Sequence, residues 1–370
     1  MQRMRILHVI SSLEMGGAQA VLFNLIRVLP SDEYEQHVVY FHRGPYVDYL
    51  KTLGVSVYQV RGILCTYDPF FWWRIQRMIC VIKPDVIHAS LWSAGFVSRI
   101  IGLLQGIPVV TAVHALFEHH GWLRCVLDHF TVRASDTFIA VSGQVASSVR
   151  MWLPNQPVHV VPNCIDVEHI HMVQNANQAY ALPSLRPAHF VIGSVGRFVS
   201  VKRYDLLLQL FAQLSRQYTQ LRLLLIGTGP LEQALRAQAV RLDIADKVLF
   251  VIGQSALSLY PRMNCFVQTS LYEGLSIALL EAMATGVVCI TTGHDEQQPV
   301  IQHGVNGYVV RPDHTYRIAD YIEQLLLNPA QYRQVGFKAA ATIRESYDIQ
   351  AMKHRYETVL AAVSKKGRER

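Results

Sequence analysis

The 370-residue sequence is 51% apolar and only 16% charged, which excludes a disordered chain and supplies enough apolar surface for two cores. Thirty-four Lys and Arg against 27 Asp and Glu leave a net charge of +7, yet the excess follows no helix face, which argues against a nucleic-acid reader. Residues 1–183 carry +1 and the remainder +6, with +3 in the terminal KKGRER, a basic tail compatible with an anionic membrane or substrate.

The N-terminal stretch MQRMRILHVISSLEMGGAQA has an apolar core of only Ile6 to Ile10, interrupted by His8, too short for a signal peptide. No run reaches about 18 apolar residues, so no membrane-spanning helix is expected. The six cysteines (65, 80, 125, 164, 265 and 289) include no Cys-x-x-Cys, so neither a disulfide framework nor a zinc knuckle is indicated, and a cytoplasmic location is expected.

In chain order, the strand candidates are RILHVI, HVVYF, VSVYQV, DVIHAS, PVVTAV, TFIAVS and VHVVPN. After a polar stretch over 167–188 come FVIGSVG, LRLLLIG, VLFVI, CFVQT, VVCIT and GYVV. Helical patterns such as AQAVLFNLIRVL and RYDLLLQLFAQLSRQY separate them. Continuous apolar strands alternating with helices predict parallel sheets covered on both faces. Two doubly wound α/β domains follow, 1–183 and 184–345, with a C-terminal helix and basic tail over 346–370 that can pack back on the first domain. Ligands of open parallel sheets bind beyond the strands' carboxyl ends, so facing sheets place the site in a central cleft.

The loops at those ends carry the polar punctuation. Gly16 and Gly17 follow the first strand and precede a helix, where bare backbone N–H groups can approach an anion; a flexible loop is the plain alternative. In GSVGRFVSVKRYD, Gly196, Arg197 and Lys202 precede another helix, and two cations there suit a pyrophosphate. Gly227 and Gly229 form Gly-x-Gly, but Glu232 stands where a dinucleotide fingerprint needs its third glycine, which argues against a nicotinamide or flavin enzyme. His114 ends a first-domain strand as a candidate hydrogen-bond donor. His119 and His120 lack the spacing of a metal pair and read as surface residues. No Asp-x-Asp occurs, so no carboxylate-held metal is expected. In QTSLYEGLSIALLEAMATG, Glu273 precedes and Glu281 lies within a segment apolar enough to be hidden, where an unpaired carboxylate is costly.

The order GGAQAVLFNL, TAVHA, VPNCID, GSVGRFVSVKRYD, GTGPLEQAL, SLYEGLSIALLEAMATG and HGVNGYVV resembles the retaining glycosyltransferases of family four, with the two-Rossmann-domain GT-B fold. The resemblance implies a nucleotide-sugar donor (UDP- or GDP-linked), a saccharide or lipid-linked acceptor, and no cofactor. It places Glu281 on the ribose hydroxyls, Glu273 on the transferred sugar, and the backbone of Gly274, Leu275 and Ser276 near sugar and phosphates. Arg197 and Lys202 would take the pyrophosphate beside Gly196 and Gly227, Gly16 and Gly17 the donor phosphates, and His114 the sugar or incoming hydroxyl. Cys164, Arg203 and Pro299 depart from the family pattern, which bears on the interdomain turn and on sugar recognition.

Three rivals remain: a sugar-nucleotide epimerase or a phosphorylase on this architecture, or a non-catalytic nucleotide-sugar-binding protein. In YDPFFWWRIQRMICVIKP, Phe71, Ile75, Met78 and Ile82 form a core stripe, while Phe70, Trp72 and Trp73 exceed its needs beside Arg74, Arg77 and Lys83. A packed crossover helix is the plain reading; a peripheral contact with the inner face of the cell membrane is the sharper one.

Overall fold

A computed structural model of the chain describes residues 3–60, 69–114, 122–175, 182, 185–293 and 300–368. The chain forms two compact units, Met1–Cys164 with Ile349–Arg370, and Ile165–Asp348.

The first unit alternates β1 (Met4–Ser12), α1 (Gly17–Val28), β2 (Tyr34–His42), α2 (Tyr46–Thr52), β3 (Ser56–Gln59), α3 (Pro69–Ile82) and β4 (Val86–Ser90). It continues with α4 (Trp92–Gln105), β5 (Val109–Val113), α5 (Trp122–Thr131), β6 (Thr137–Ala140), α6 (Gly143–Trp152) and β7 (Val158–Val160). The sheet order is β3-β2-β1-β4-β5-β6-β7, and every pairing described is parallel. Strands β4, β5 and β6 are buried along their whole length, which is why their sequences run apolar without alternation.

The second unit comprises α7 (Val167–Asn175), β8 (Phe190–Val195), α8 (Tyr204–Gln217), β9 (Leu221–Ile226), α9 (Glu232–Arg241), β10 (Val248–Val251) and β11 (Cys265–Gln268). Then come α10 (Ile277–Ala284), β12 (Val288–Thr292), β13 (Tyr308–Val310), α11 (Arg317–Leu327) and α12 (Pro329–Ser346). Its parallel sheet has the order β10-β9-β8-β11-β12-β13. Each predicted strand has its counterpart here, and the two-domain α/β architecture is that of the GT-B fold.

The domain boundaries differ from the expected ones. The chain passes to the second unit at Cys164–Ile165, because Ile165, Val167 and Ile170 join the core that holds Leu279, Leu280 and Ala284. The polar stretch between the two sets of strands therefore contains α7. The return falls at Asp348–Ile349, and α13 (Ile349–Arg368) belongs to the first unit, where the Tyr356 ring meets His88 edge to face. The α3 stripe is also shifted: Phe71, Ile75, Ile79 and Ile82 are buried, while Met78 is only half-buried.

In both sheets the strand order reverses beside a central strand. In the second unit the chain leaves β8 for β9 on one side and returns to β11 on the other. The loops after β8 and β11 thus flank the switch point, where open parallel sheets leave a crevice for ligands.

Candidate functional site

The loop after β8 is shaped by close backbone contact with the loop after β9. Gly227, at φ +150°, lies so near Gly196 that an added Cβ would come within 1.9 Å of the Gly196 carbonyl oxygen. The Gly196 N–H donates to Ile226 O at 2.9 Å, and the Phe198 N–H to Thr228 O at 2.8 Å. Packing therefore accounts for the Gly-x-Gly that resembled part of a dinucleotide fingerprint.

A 3-10 turn, Ser200–Lys202, then carries the chain into α8 through Arg203, which adopts left-handed backbone angles (φ 50°, ψ 41°). The loop after β11 holds that turn in place. The Leu271 N–H donates to Val201 O at 2.8 Å, and the Thr269 hydroxyl is 2.9 Å from Lys202 O and 3.0 Å from Arg203 O. With its main chain fixed, Lys202 reaches across the switch point, and its Nζ lies 2.5 Å from Glu273 Oε2. The Ser270 hydroxyl donates to the same oxygen at 3.0 Å. The charge-assisted pair unites two predicted site residues from loops 71 positions apart. Arg197, by contrast, is exposed, and its side chain has no partner among the described residues.

Three residues beyond Glu273, Ser276 caps α10, its hydroxyl accepting from the Leu279 N–H at 3.4 Å. Leu279, Leu280, Ala282 and Met283 bury the helix in the core, and Leu275 packs half-buried against the same cluster. Gly274 is half-buried between Glu273 and that cap. Glu281 keeps some accessible surface, yet enough protein surrounds its carboxyl group for burial to push its pKa up to about 7. A hydrogen bond from the Tyr260 hydroxyl to Glu281 Oε2, at 2.8 Å, opposes that rise. The two glutamates thus sit differently, one paired with a cation and the other desolvated, with a phenol as its hydrogen-bond donor.

In the first unit, Gly16 lies in the loop between β1 and α1 as the helix N-cap, and Gly17 is the first residue of α1. The Gln19 side chain, buried and donating to Ser12 O at 2.9 Å, closes so tightly on Gly16 that a Cβ there would meet Gln19 Oε1 at 2.6 Å. His114 follows β5; both its ring nitrogens are buried without a partner among the described residues, and burial lowers its pKa to about 4. It is therefore neutral near pH 7, offering one donor and one acceptor. A small cavity beside it is lined by Leu91, Trp92, Arg99, Thr111 and Asp128, the last two charged residues, Arg99 and Asp128, forming a buried ion pair. His119, His120 and Pro299 lie outside the described residues. Among those described, no three His, Cys, Asp or Glu side chains are grouped to hold a metal ion.

Tyr260, Ser270, Thr269 and Gln19 escaped the sequence reading. The available signal was chemical: a tyrosine just before a buried strand needs a partner for its hydroxyl, and a carboxylate on an apolar helix needs a donor.

Residues 183–342 match the model for Glycosyl transferases group 1, and residues 15–169 that for Glycosyltransferase Family 4. The chain is similar to the putative glycosyltransferase EpsF of Bacillus subtilis, 28% identical over 77% of this chain and 78% of the relative. It is 22% identical to the UDP-Gal:alpha-D-GlcNAc-diphosphoundecaprenol alpha-1,3-galactosyltransferase of Escherichia coli, over 83% of this chain and 84% of that protein. Among solved structures, HepE of Anabaena in complex with UDP-glucose superposes with a TM-score of 0.86 at 20% identity, covering 97% of this chain and 100% of that one.

Proposed function

The chain is a glycosyltransferase of GT-B fold carrying a group 1 domain, and on that premise we propose that it transfers a sugar, with retention, from a UDP- or GDP-sugar to a saccharide or lipid-linked acceptor. The observation that carries this reading is the Lys202–Glu273 pair across the switch point, with Glu281 eight residues further on at the crevice helix. The UDP-glucose complex of HepE and the UDP-Gal donor of the Escherichia coli relative favour a uridine nucleotide. The latter's undecaprenol-linked acceptor favours a role in bacterial polysaccharide or glycoconjugate assembly.

In this reading Lys202 and Arg197 face the donor pyrophosphate, with Gly196 and Gly227 letting the main chain approach, and Glu281 accepts from the ribose hydroxyls. Gly274, Leu275 and Ser276 present backbone to sugar and phosphate. Gly16 and Gly17 serve the donor phosphates, and the neutral His114 serves a hydroxyl of the sugar or acceptor. The bond from the anomeric carbon to the phosphate oxygen breaks while the acceptor oxygen attacks the same face. The acceptor proton passes to the leaving phosphate oxygen, and nucleoside diphosphate departs. Glu273 stabilises the positive charge developing on the sugar, and the two cations stabilise the diphosphate. They supply the charge that a metal supplies elsewhere, so neither metal nor other cofactor is required.

The test is a panel of UDP- and GDP-sugars given to the purified protein, following nucleotide release and the anomeric configuration of transferred product by NMR. One donor turned over with retention and unaffected by excess EDTA is expected. Interconversion of the sugar without an acceptor supports the epimerase, and binding without turnover of any donor supports the non-catalytic protein. Loss of turnover in EDTA, restored by magnesium or manganese, overturns metal independence.

A second reading concerns location. No described helix is long and apolar enough to cross a membrane. On α3, Phe70, Trp73 and Val81 are 70%, 56% and 76% exposed, Arg77 lies over the Trp73 ring, and no acidic residue occurs in the helix. This pattern supports docking on an anionic membrane face. Sedimentation with anionic vesicles at low salt is expected, weakened by Phe70→Ser and Trp73→Ser together; protein that never pellets sinks the idea.

A further inference from the structure

The side chain that donates a hydrogen bond to the Glu281 carboxyl group is not on its own helix. Tyr260 opens a 3-10 turn, Tyr260–Arg262, between β10 and β11, and its side chain is fully buried. Its N–H is held by Ala256 O at 3.1 Å, and its ring packs against Phe266 with centroids 6.2 Å apart. The hydroxyl emerges from this fixed base beneath α10, 2.8 Å from Glu281 Oε2 and 3.1 Å from Ala278 O.

A phenol has one proton, and here it has two acceptors. An ionised carboxylate is the stronger acceptor, so the proton goes to Glu281 Oε2 and the Ala278 carbonyl loses it. One carboxylate oxygen is then occupied and the side chain's rotamers are fixed before any ligand arrives. The other oxygen remains available to a pair of neighbouring hydroxyls. We propose that Tyr260 is a positioning residue for nucleoside recognition, holding one oxygen of Glu281 so that the other meets the ribose diol of the donor. The inference rests on the reading of Glu281 as the ribose acceptor, and it adds that the selectivity for a ribonucleotide resides in the pair.

The experiment measures affinity for UDP and 2′-deoxy-UDP by calorimetry in four proteins: wild type, Tyr260→Phe, Glu281→Ala and the double variant. Wild type is expected to favour UDP. Tyr260→Phe, which keeps the ring, is expected to bind UDP about fivefold more weakly and to lose most of the ribose preference, raising donor KM more than it lowers kcat. The double variant is expected to match Glu281→Ala, because the phenol acts only through the carboxylate. A Tyr260→Phe protein with the wild-type UDP to deoxy-UDP ratio overturns the proposal, whatever its melting temperature, since a merely structural tyrosine leaves that ratio unchanged. If Glu281→Ala itself keeps the wild-type ratio, the ribose reading fails first and the proposal falls with it. Should Tyr260→Phe not fold, fluorotyrosine at 260 keeps the ring and strengthens the donor; a ratio altered by about twofold or more supports the proposal, and an unchanged one overturns it.

Discussion

Glu273 and Glu281 sit on one continuous segment, yet they face opposite electrostatic conditions. Glu273 stands at a loop, beside Lys202 and Ser270, and its charge is matched by a cation 2.5 Å away. Glu281 stands on a helix packed into the core, with a phenol for a partner and a pKa pushed up to about 7. A paired carboxylate fixes the position of its cation. A desolvated one is poised to change charge when something polar binds. The same side chain thus meets two different environments, and the difference is set largely by Lys202 and Tyr260, from the loops after β8 and β10.

The largest expected effect breaks the Glu273 side of this comparison. Glu273→Gln preserves shape but removes the charge proposed to act as the sugar becomes positive, so kcat should fall by about 100-fold or more while nucleoside diphosphate still binds. Lys202→Met should lower kcat by a similar factor. Comparing both with the double variant separates two roles. If Glu273 acts only by holding Lys202, the double variant is no worse than either single; if it also acts on the sugar, the losses multiply. Near-normal kcat in Glu273→Gln removes it from the reaction.

Next comes the loss of the other carboxylate. Hydrogen bonds to a charged group are worth about 1.5–3 kcal/mol, so Glu281→Ala should weaken nucleotide binding by about 10- to 150-fold. On the proposed role the effect belongs in KM more than in kcat, because contacts to the ribose would exist before and during transfer. Unchanged affinity for the nucleotide in a calorimetric titration would overturn the assignment.

A smaller effect follows from pH. With its pKa near 7, Glu281 holds a proton through much of the range below neutrality, and ribose hydroxyls favour the ionised form. Nucleotide affinity should therefore rise with pH up to about 7, by at most tenfold per unit, and then level. Glu281→Gln should lack this component, and subtracting its profile removes the titration of the nucleotide's own phosphate. The free protein should behave in the opposite sense. A folded pKa above the ordinary 4.5 means that the folded state binds more protons between 4.5 and 7, so this group's contribution to stability is complete below 4.5 and is lost as pH rises through 7. Thermal melts of wild type and Glu281→Gln across pH 4 to 8 check it.

How much of this arrangement was legible in the sequence depended on distance along the chain. The strands were visible because buried parallel strands must be apolar throughout, and the helix that carries Glu281 was visible because its apolar run lies within one segment. The Lys202–Glu273 pair joins loops from separate strands, and only the sheet order brings them together. Tyr260 was hidden for the same reason. The 167–188 stretch misled because α7 needs only a few apolar residues, Val167 and Ile170 among them, to dock on a core built 100 residues later. Gly227 makes a contact that fingerprint spacing does not encode: at φ +150° its backbone lies against that of Gly196, from the neighbouring loop.

The smallest effect sharpens the comparison from the side of Lys202. Arg203 follows it directly and holds left-handed angles that an L-residue adopts at a cost of roughly 1–2 kcal/mol. Its guanidinium Nε, 3.2 Å from both carboxylate oxygens of Asp205, is partly exposed and returns little of that energy. The backbone is held instead by Thr269, whose hydroxyl lies near both Lys202 O and Arg203 O. Glycine accepts these angles without strain but adds freedom to the unfolded chain, so the two terms largely offset. Arg203→Gly should therefore raise stability by no more than about 1 kcal/mol, seen as a small upward shift in Tm. Because the main-chain contacts to Thr269 do not involve the arginine side chain, Lys202 should stay paired with Glu273 and donor turnover should remain within about twofold. A substantial fall in kcat would mean that the guanidinium, and not only the turn it occupies, belongs to the group of cations around Glu273.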